Sequence, residues 1–330
     1  MENPFDPSEI YRAIHSGGWN RDPGRDGIGL KFYKATWATI WDNICLILNK
    51  MFFGRAITPQ QKHGTIVCLP KPHKPLTPAD YRPITLLNND YKVVACILAH
   101  QLCPMMEKYL KSTQYCGVPG NTILDAVATI CDAIAHAENT NTPLCILTLD
   151  FKNAFDRITH SYLFTILHSH GLSPSFNNLI RNMYDGVTSA VQINGHSHGP
   201  IPIRFGVRQG CPMSMALYAL CLQPPLQMLE LCLSGIQTGR STCPVSVIAY
   251  ANDVTVFATT AANFSIIGEA ICLYEKASDV RLNPLKSKAI AVGRWSALDT
   301  VLGIPYHSHV RILGFTFWNT TVQSINDTWA

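Results

Sequence analysis

The stretch SVIAYANDVTVFATT, residues 246–260, constrains the fold more than any other part of this chain. Two β-rich apolar runs, VSVIAY and VTVFAT, flank Ala-Asn-Asp, and so short a break between such runs predicts a strand hairpin. The continuous apolar run PLCILTLD predicts another strand, ending at Asp150. Two strands of one sheet can set Asp150 and Asp253 side by side although they lie far apart in sequence. Like charges packed together repel, so such a pair is normally held by a divalent cation. Few carboxylate ligands with open positions suit Mg²⁺ bound together with phosphates. Either aspartate taken alone reads more readily as a solvated strand end. Asn252 occupies the first of the two adjacent tip positions, where a second carboxylate would complete such a site.

Residues 1 to 29 carry loop signals, concentrated in GGWNRDPGRDGIG. Apolar spacing predicts a helix from Leu30 to about Phe53, a second in DYKVVACILAHQLCPMMEKYL capped by Asp90, and a third in NTILDAVATICDAIAHAENT. It predicts further helices in SYLFTILHSHG, closed by Gly171, in CPMSMALYALCLQPPLQMLELCLSG with a Pro-Pro interruption, and from about Asn263 to Ala277. GTIVCLPKP reads as a strand that stops at Pro70. HKPLTPADYRP reads as a polar loop, because Pro72, Pro75, Pro78 and Pro83 prevent a helix. SAVQING and GPIPIRFGV read as a strand pair around NGHSHG, with His196 and His198 on the surface of its turn. KAIAVG and VRILGFTFW are two last strands. Strands and helices without regular alternation point to an α+β fold.

The 330 residues suffice for one large domain or two to three subdomains, and 47% apolar with 15% charged residues excludes a disordered chain. No apolar run reaches the length of a membrane span, and MENPFDPSEIYRAIH is not a secretory signal. The twelve cysteines are scattered without a Cys-x-x-Cys pair, so they read as reduced, buried thiols of an intracellular protein rather than zinc ligands or a disulfide framework. The net charge of +4 says little by itself. Its distribution says more: Lys62, Lys71, Lys74, Arg82 and Lys92 share one segment with only Asp80 and Asp90 against them.

The motifs taken in order carry a resemblance. DPGRDGIGLKFYK is similar to an N-terminal Pro-Gly-x-Asp-Gly motif. IVCLPKP and DYRPITLLNNDYKVVACILAHQL are similar to fingers motifs. QYCGVPGNTILDAV is similar to a Gln-x-Gly-Phe segment, with Val118 for the Phe and Asn121 for a following Arg. LTLDFKNAFDRI resembles a first palm motif, GVRQGCPMSMALYALCLQPPL a Gln-Gly-x-Pro motif with its trailing helix, and AYANDVTVF a catalytic hairpin. VRLNPLKSKAI and RILGFTF resemble a last palm motif and a primer grip. Together they resemble the reverse transcriptase domain of a non-LTR (LINE-type) retrotransposon. The order of the motifs over nearly the whole length carries this more than any one of them.

The resemblance implies a right-hand polymerase, with fingers and an antiparallel palm sheet packed on helices, and with the thumb largely absent. It implies an N-terminal extension and start of the fingers over 1–60, fingers over 61–140, a palm with the catalytic motifs over 141–300, and primer-grip-like strands with a truncated start of the thumb over 301–330. Fuller proteins of this kind join the polymerase to an endonuclease and a C-terminal segment, so the chain reads as partial, with a loosely held duplex and low processivity. The implied reaction extends a DNA primer on an RNA template with deoxynucleoside triphosphates and two Mg²⁺ ions, or Mn²⁺ in their place. Asp150 and Asp253 are the implied metal ligands, Asp150 for both ions, with Asn252 at the place of the remaining catalytic carboxylate. Phe155 is the implied plate under the sugar that excludes a 2′-hydroxyl, and the backbone from Lys152 to Ala154 faces the triphosphate. Lys71 and Arg82 clamp phosphates, and Gln209 and Gly210 contact nucleotide and template. Lys286 donates a proton to pyrophosphate, with Lys288 as the neighbouring alternative. Leu313 and Gly314 form the primer grip. The family works inside the cell, and the nucleus is the expected compartment. Oligomeric state is not legible in the sequence.

Plainer roles remain open for several of these residues. Phe155 fits a core position, Arg82 a surface loop, and Lys276, Arg281 and Lys288 a solvated face. Asp156 fits a helix-orienting role without metal. Asn252 is nearly isosteric with aspartate, so the hairpin should form, but its carbonyl carries no charge. Removing one formal charge beside two divalent ions should cost on the order of 10³-fold in rate. The expectation is a polymerase fold with poor or no polymerisation. Genomic decay, engineered inactivation and a tolerated natural variant account for Asn252 equally. A catalytically dead, nucleic-acid-binding remnant is the alternative function, binding template–primer through phosphates with steep salt dependence. Another right-hand polymerase, such as a group II intron maturase or a viral RNA-directed RNA polymerase, is a weaker one, since Phe155 argues against an RNA-making enzyme.

Overall fold

A computed structural model describes residues 4–16, 22–71, 77–110, 112–239, 243–296 and 300–320. The chain begins with α1 (Pro7–Ser16), α2 (Leu30–Phe52) and α3 (Pro59–Lys62), then β1 (Gly64–Pro70) and β2 (Tyr81–Leu86). Two helices, α4 (Asn89–Leu110) and α5 (Ile123–Asn139), lead to β3 (Leu144–Leu149), the short β4 (Phe151–Lys152) and α6 (Ala154–Arg157). Next come α7 (His160–Ser169), α8 (Pro174–Tyr184), β5 (Thr188–Ile193), β6 (His196–Pro202) and α9 (Ser214–Cys232). The remainder is β7 (Val247–Tyr250), β8 (Asp253–Ala258), α10 (Asn263–Ser278), β9 (Arg281–Leu282) and β10 (Lys288–Val292). The short pair β11 (Thr300–Val301) and β12 (Ile304–Pro305) and the pair β13 (His309–Ile312) and β14 (Phe315–Trp318) close it.

These elements form two compact units, each discontinuous in sequence. The first comprises Met1–Leu102 and Ile158–Leu217, the second Cys103–Arg157 and Tyr218–Ala330. The first unit is organised on a mixed sheet of order β2-β1-β5-β6. Its centre is a parallel pair, β1 with β5, and antiparallel pairs flank it on both sides. Phe5 meets Phe52 edge to face, at 5.5 Å between ring centroids, tying the chain start to the end of α2. Lys62 is only 8% exposed: its ammonium donates to the carbonyls of Asp185 at 2.6 Å and Asn182 at 3.3 Å at the C-terminal end of α8.

The second unit is organised on an antiparallel sheet of order β10-β3-β8-β7. Ala126, Ile130, Ala133, Ile134 and Ala137 recur at helical spacing along α5 and cover one face of it, against Ile146, Phe257 and Ile290. Val310, Ile312 and Phe317 of β13 and β14 join the same core. Thr122 starts α5 with a reciprocal cap: its side chain accepts from the Asp125 amide, and Asp125 accepts from the Thr122 amide. This is the α+β architecture expected, with the antiparallel, helix-backed sheet of a palm.

Several local expectations are corrected. Residues 7–16 form a helix where loop signals were read, because Ile10, Ala13 and Ile14 bury a face despite the Gly- and Pro-rich sequence that follows. α8 had no sequence expectation at all. α4 begins at Asn89, so Asp90 is not its cap; Asp90 instead accepts from Gln61 at 2.7 Å. Tyr81–Pro83 belong to β2 rather than a loop, and Pro83 is tolerated because β2 is an edge strand. Pro72, Lys74 and Pro75 lie outside the described residues. His196 and His198 are exposed as expected, but in β6; the turn is Asn194-Gly195 alone. α9 runs through Pro224–Pro225 without a break, since buried Leu220, Leu222, Leu226 and Leu229 hold the helix on both sides. VRILGFTFW is two strands, not one.

The twelve cysteines are all free thiols, yet only Cys145, Cys211 and Cys221 are buried; Cys68, Cys232, Cys243 and Cys272 are exposed. Among the described residues no helix is long and apolar enough to cross a membrane.

Candidate active site

Strand register brings the two aspartates together. β3 and β8 are antiparallel neighbours, and Leu149 opposite Val254 is their last pair at one end. One step further, Asp150 follows β3 and Asp253 begins β8. Both line a cleft of about 140 Å³ together with Lys286, Arg311 and Leu313. Asp253 is exposed at the start of its strand, yet desolvation by the surrounding protein, and then the charge of Asp150, raise its pKa above the ordinary carboxylate value. Asp150 is held on three atoms. Its amide donates to Ser287 Oγ at 3.0 Å, its carbonyl accepts from the Asn283 amide at 2.8 Å, and its Oδ2 accepts from Asn283 Nδ2 at 3.0 Å.

The hairpin forms as the sequence predicts. Tyr250 pairs with Asp253 across a two-residue turn, Ala251-Asn252. Ala251 adopts a φ of 57°, a left-handed conformation that costs an alanine about 1 kcal/mol and that glycine would adopt freely. Asn252 takes the second turn position and is half-buried. Two carboxylates on one cleft, with Asp253 raised by desolvation and then by the charge of Asp150, fit a divalent cation. Asn252 leaves that donor set with two formal charges where a third carboxylate would stand. Among the described residues no group of three or more His, Cys, Asp or Glu side chains is placed to hold a metal ion.

The other expected residues of this unit lie as follows. Phe155, on α6, stacks on Tyr218 with ring centroids 4.3 Å apart and 23° between planes. Tyr218 is fully buried and lies within electrostatic reach of Asp253 and Asp150, which, after desolvation, help to raise its pKa. Phe155 is therefore backed by a rigid aromatic floor next to the carboxylates. Lys286 lines the cleft, whereas Lys288 opens β10 opposite Thr148. Leu313 (φ 54°) and Gly314 (φ 91°) make the turn between β13 and β14, which carries Leu313 and Arg311 to the cleft.

Lys71, Arg82, Gln209 and Gly210 belong to the first unit. The Lys71 amide donates to Asp80 at 2.8 Å just past β1, and exposed Arg82 lies opposite Leu69 on the β1–β2 pair. The loop bearing Gln209 is stitched to the same strand: Thr85 N donates to Gln209 O at 2.7 Å. Gly210 has a φ of 103°, and a Cβ there would stand 2.7 Å from the Thr85 carbonyl oxygen. The glycine is thus required by the protein's own backbone. Lys62, grouped with the basic segment by sequence, is a buried structural lysine and not part of a basic surface.

Four residues, three in the second unit and one in the first, went unassigned from sequence. Asn283, Tyr218 and Arg311 sit inside or near recognised motifs but carry no spacing signal of their own. Arg208, within GVRQGCP, carries none either. In the structure it is 5% exposed, donates from Nη2 to Lys62 O at 2.5 Å, and lies 5.1 Å above the Tyr91 ring.

Comparison with known proteins agrees with this geometry. Residues 69–317 match the family described as reverse transcriptase (RNA-dependent DNA polymerase). A Xenopus laevis protein of transposon TX1, an uncharacterized 149 kDa chain, is 31% identical over 293 residues, covering 89% of this chain and 22% of that protein. A Pol polyprotein of the type-2 retrotransposable element R2DM of Drosophila melanogaster is 24% identical over 277 residues, covering 82% of this chain and 25% of that one. The chain thus spans about a quarter or less of these curated relatives. Among solved structures, a telomerase of Candida tropicalis in complex with a fragment of telomeric RNA superposes with a TM-score of 0.56 at 12% identity, covering 87% of this chain and 48% of that one. At that identity the likeness concerns the fold alone, and it is the fold of a right-hand polymerase. The chain belongs to the reverse transcriptase (RNA-dependent DNA polymerase) family, and its relatives are proteins of non-LTR retrotransposons.

Proposed function

We propose that this chain is the polymerising part of a retrotransposon protein, built to extend a DNA 3′-end on an RNA template, and that Asn252 impairs it. The observation that carries the reading is the placement of Asp150 and Asp253 at adjacent strand ends, on one cleft with Lys286. Two Mg²⁺ ions, or Mn²⁺ in their place, would activate the 3′-hydroxyl and neutralise the leaving pyrophosphate when bound. Asp150 and Asp253 would hold them, with Asn283 fixing the rotation of the Asp150 carboxylate. The primer 3′-hydroxyl loses its proton to water, its oxygen bonds to the α-phosphorus, the bond from that phosphorus to the oxygen of the β-phosphate breaks, and Lys286 supplies a proton to the departing pyrophosphate. Phe155, unable to give way because Tyr218 backs it, lies under the sugar and disfavours a 2′-hydroxyl. Lys71 and Arg82 bind triphosphate oxygens, the guanidinium through its planar donor fork. Gln209 and Gly210 meet nucleotide and template. Leu313 and Gly314 hold the primer end, where Arg311 adds a positive charge. The nucleus, where chromosomal 3′-ends are found, is the expected compartment.

The test is Mg²⁺-dependent extension of a DNA primer on an RNA template by the protein and by its Asn252→Asp variant. The reading expects a gain of at least about tenfold, and up to about 10³-fold, in the variant. Equal activity of the two proteins would sink the impairment claim. No incorporation by either, with salt-sensitive binding of template–primer retained, would favour the non-catalytic remnant.

A further inference from the structure

Ala251 holds an unfavourable left-handed conformation one residue before Asn252 and Asp253, and two-residue hairpins favour glycine or asparagine there. Something outside the hairpin must hold it. The segment that follows α4 does so. Ala249 donates to Thr113 O at 2.7 Å, and Tyr115 donates to Ala249 O at 2.7 Å, so residues 113–115 run parallel to β7 along the free edge of the sheet. Between these bonds stands Gln114, 0% exposed. Its Oε1 accepts from the Ala251 amide at 2.9 Å and from the Cys116 amide at 3.1 Å, and its Nε2 donates to Ala251 O at 3.3 Å. The clamp is itself braced. Gln114 N donates to Leu110 O at 2.8 Å at the end of α4, and Asn121 Nδ2 donates to Gln114 O at 2.8 Å.

We infer that Gln114 is the positioning residue of the hairpin tip: its amide grips both backbone groups of Ala251 and thereby aims the side chains at 252 and 253. The catalytic consequence rests on the polymerase reading; the clamp does not. The chemistry is selective. One side chain must accept from an N–H and donate to the C=O of the same residue. An ionised glutamate only accepts, so it would face the Ala251 carbonyl with negative charge. A protonated glutamate restores the same donor and acceptor pair. Methionine fills the space and offers neither.

Amide hydrogen exchange on the full chain tests the clamp, comparing wild type with Gln114→Met. The expected result is exchange faster by about 30-fold at Ala251 and Cys116, with the amides of Leu147 and Val256 in the β3–β8 ladder unchanged. Unchanged protection at Ala251 overturns the inference, and so does equal acceleration across the whole sheet, which marks Gln114 as a general structural residue. A second arm uses primer extension in the Asn252→Asp protein, at a temperature where all variants are folded. There Gln114→Met should lower kcat by roughly 10²-fold, with the nucleotide KM changed by less than about threefold. Gln114→Glu should recover toward the glutamine level as the pH falls from about 8 to 6. A Gln114→Met protein with full kcat overturns the positioning role even if exchange changes. If the Asn252→Asp protein extends no primer at all, the polymerase reading fails, and the exchange result alone decides the clamp.

Discussion

The first unit buries Lys62 and Arg208, whereas the second places Asp150 and Asp253 on a cleft. Lys62 and Arg208 are 8% and 5% exposed; the Lys62 ammonium and Nη2 of Arg208 donate to main-chain carbonyls of distant segments. Asp253, by contrast, lies at an exposed strand start, where desolvation by the surrounding protein, and then the charge of Asp150, raise its pKa. In one unit charge serves the architecture. In the other the architecture, through Ser287, Asn283 and strand register, serves the charge. The contrast teaches that a count of basic and acidic residues says little about which of them face a substrate.

Four experiments bear on that contrast. The largest effect is expected at Gly210. A Gly210→Val variant combines a left-handed φ with a Cβ against the Thr85 carbonyl, and should lose about 3 kcal/mol in urea unfolding. If it were as stable as wild type, the loop would not be pinned as described. Lys62→Met keeps the aliphatic volume but leaves the Asp185 and Asn182 carbonyls without their donor, and should cost about 2 kcal/mol. A neutral or stabilising result would return Lys62 to the basic surface that sequence suggested. Asn283→Ala should do the reverse, with little change in unfolding midpoint but a kcat about tenfold lower in the Asn252→Asp background, because the Asp150 carboxylate loses its brace.

The smallest effect concerns pH, and its sign differs between the units. In the first unit burial lowers the pKa of His63, His160 and His170, helped at His63 by Arg25 and Arg208. A base with a depressed pKa leaves stability intact above its unfolded value, near 6.5, and erodes it as the pH falls toward the folded value. Asp253 has a raised pKa, so its contribution is complete at low pH and is lost as the pH rises through that value. Acidification from about pH 7.5 to 5.5 should therefore loosen β1 and β5 before β3 and β8, lowering the midpoint of the first unit by a few degrees. Exchange protection corrected for intrinsic rates, followed strand by strand, measures this. Uniform loosening would remove the distinction.

Much of this was legible in the sequence, for identifiable reasons. β3, β7 and β8 are runs of residues that only a sheet buries well, and Asp150 and Asp253 stand where those runs stop. α5 announces itself by small and aliphatic residues at helical spacing, and α2 spans nearly the residues its spacing predicts. What escaped is held by contacts that leave no periodic trace. Gln114 and Asn283 are uncharged, and they act on backbone or on one carboxylate far away in the chain. Arg208 is buried by tertiary packing that no local pattern reports. The turn at Leu313-Gly314 was hidden inside a run apolar enough to pass as a single strand. α1 was masked by the turn residues that follow it.

The parallel pairing of β1 with β5 has a further consequence, for the order in which the chain can fold. His63, just before β1, reaches Thr188 at the start of β5 across a sequence separation of 125 residues. During synthesis β1 and β2 therefore emerge with one edge of β1 unfilled, and it stays so until β5 has followed. Loop-closure entropy of that size must be met before the parallel pair contributes anything, which makes the step intrinsically slow. The exposed edge of β1 is in that interval the place where a nascent chain would meet a chaperone or a second copy of itself.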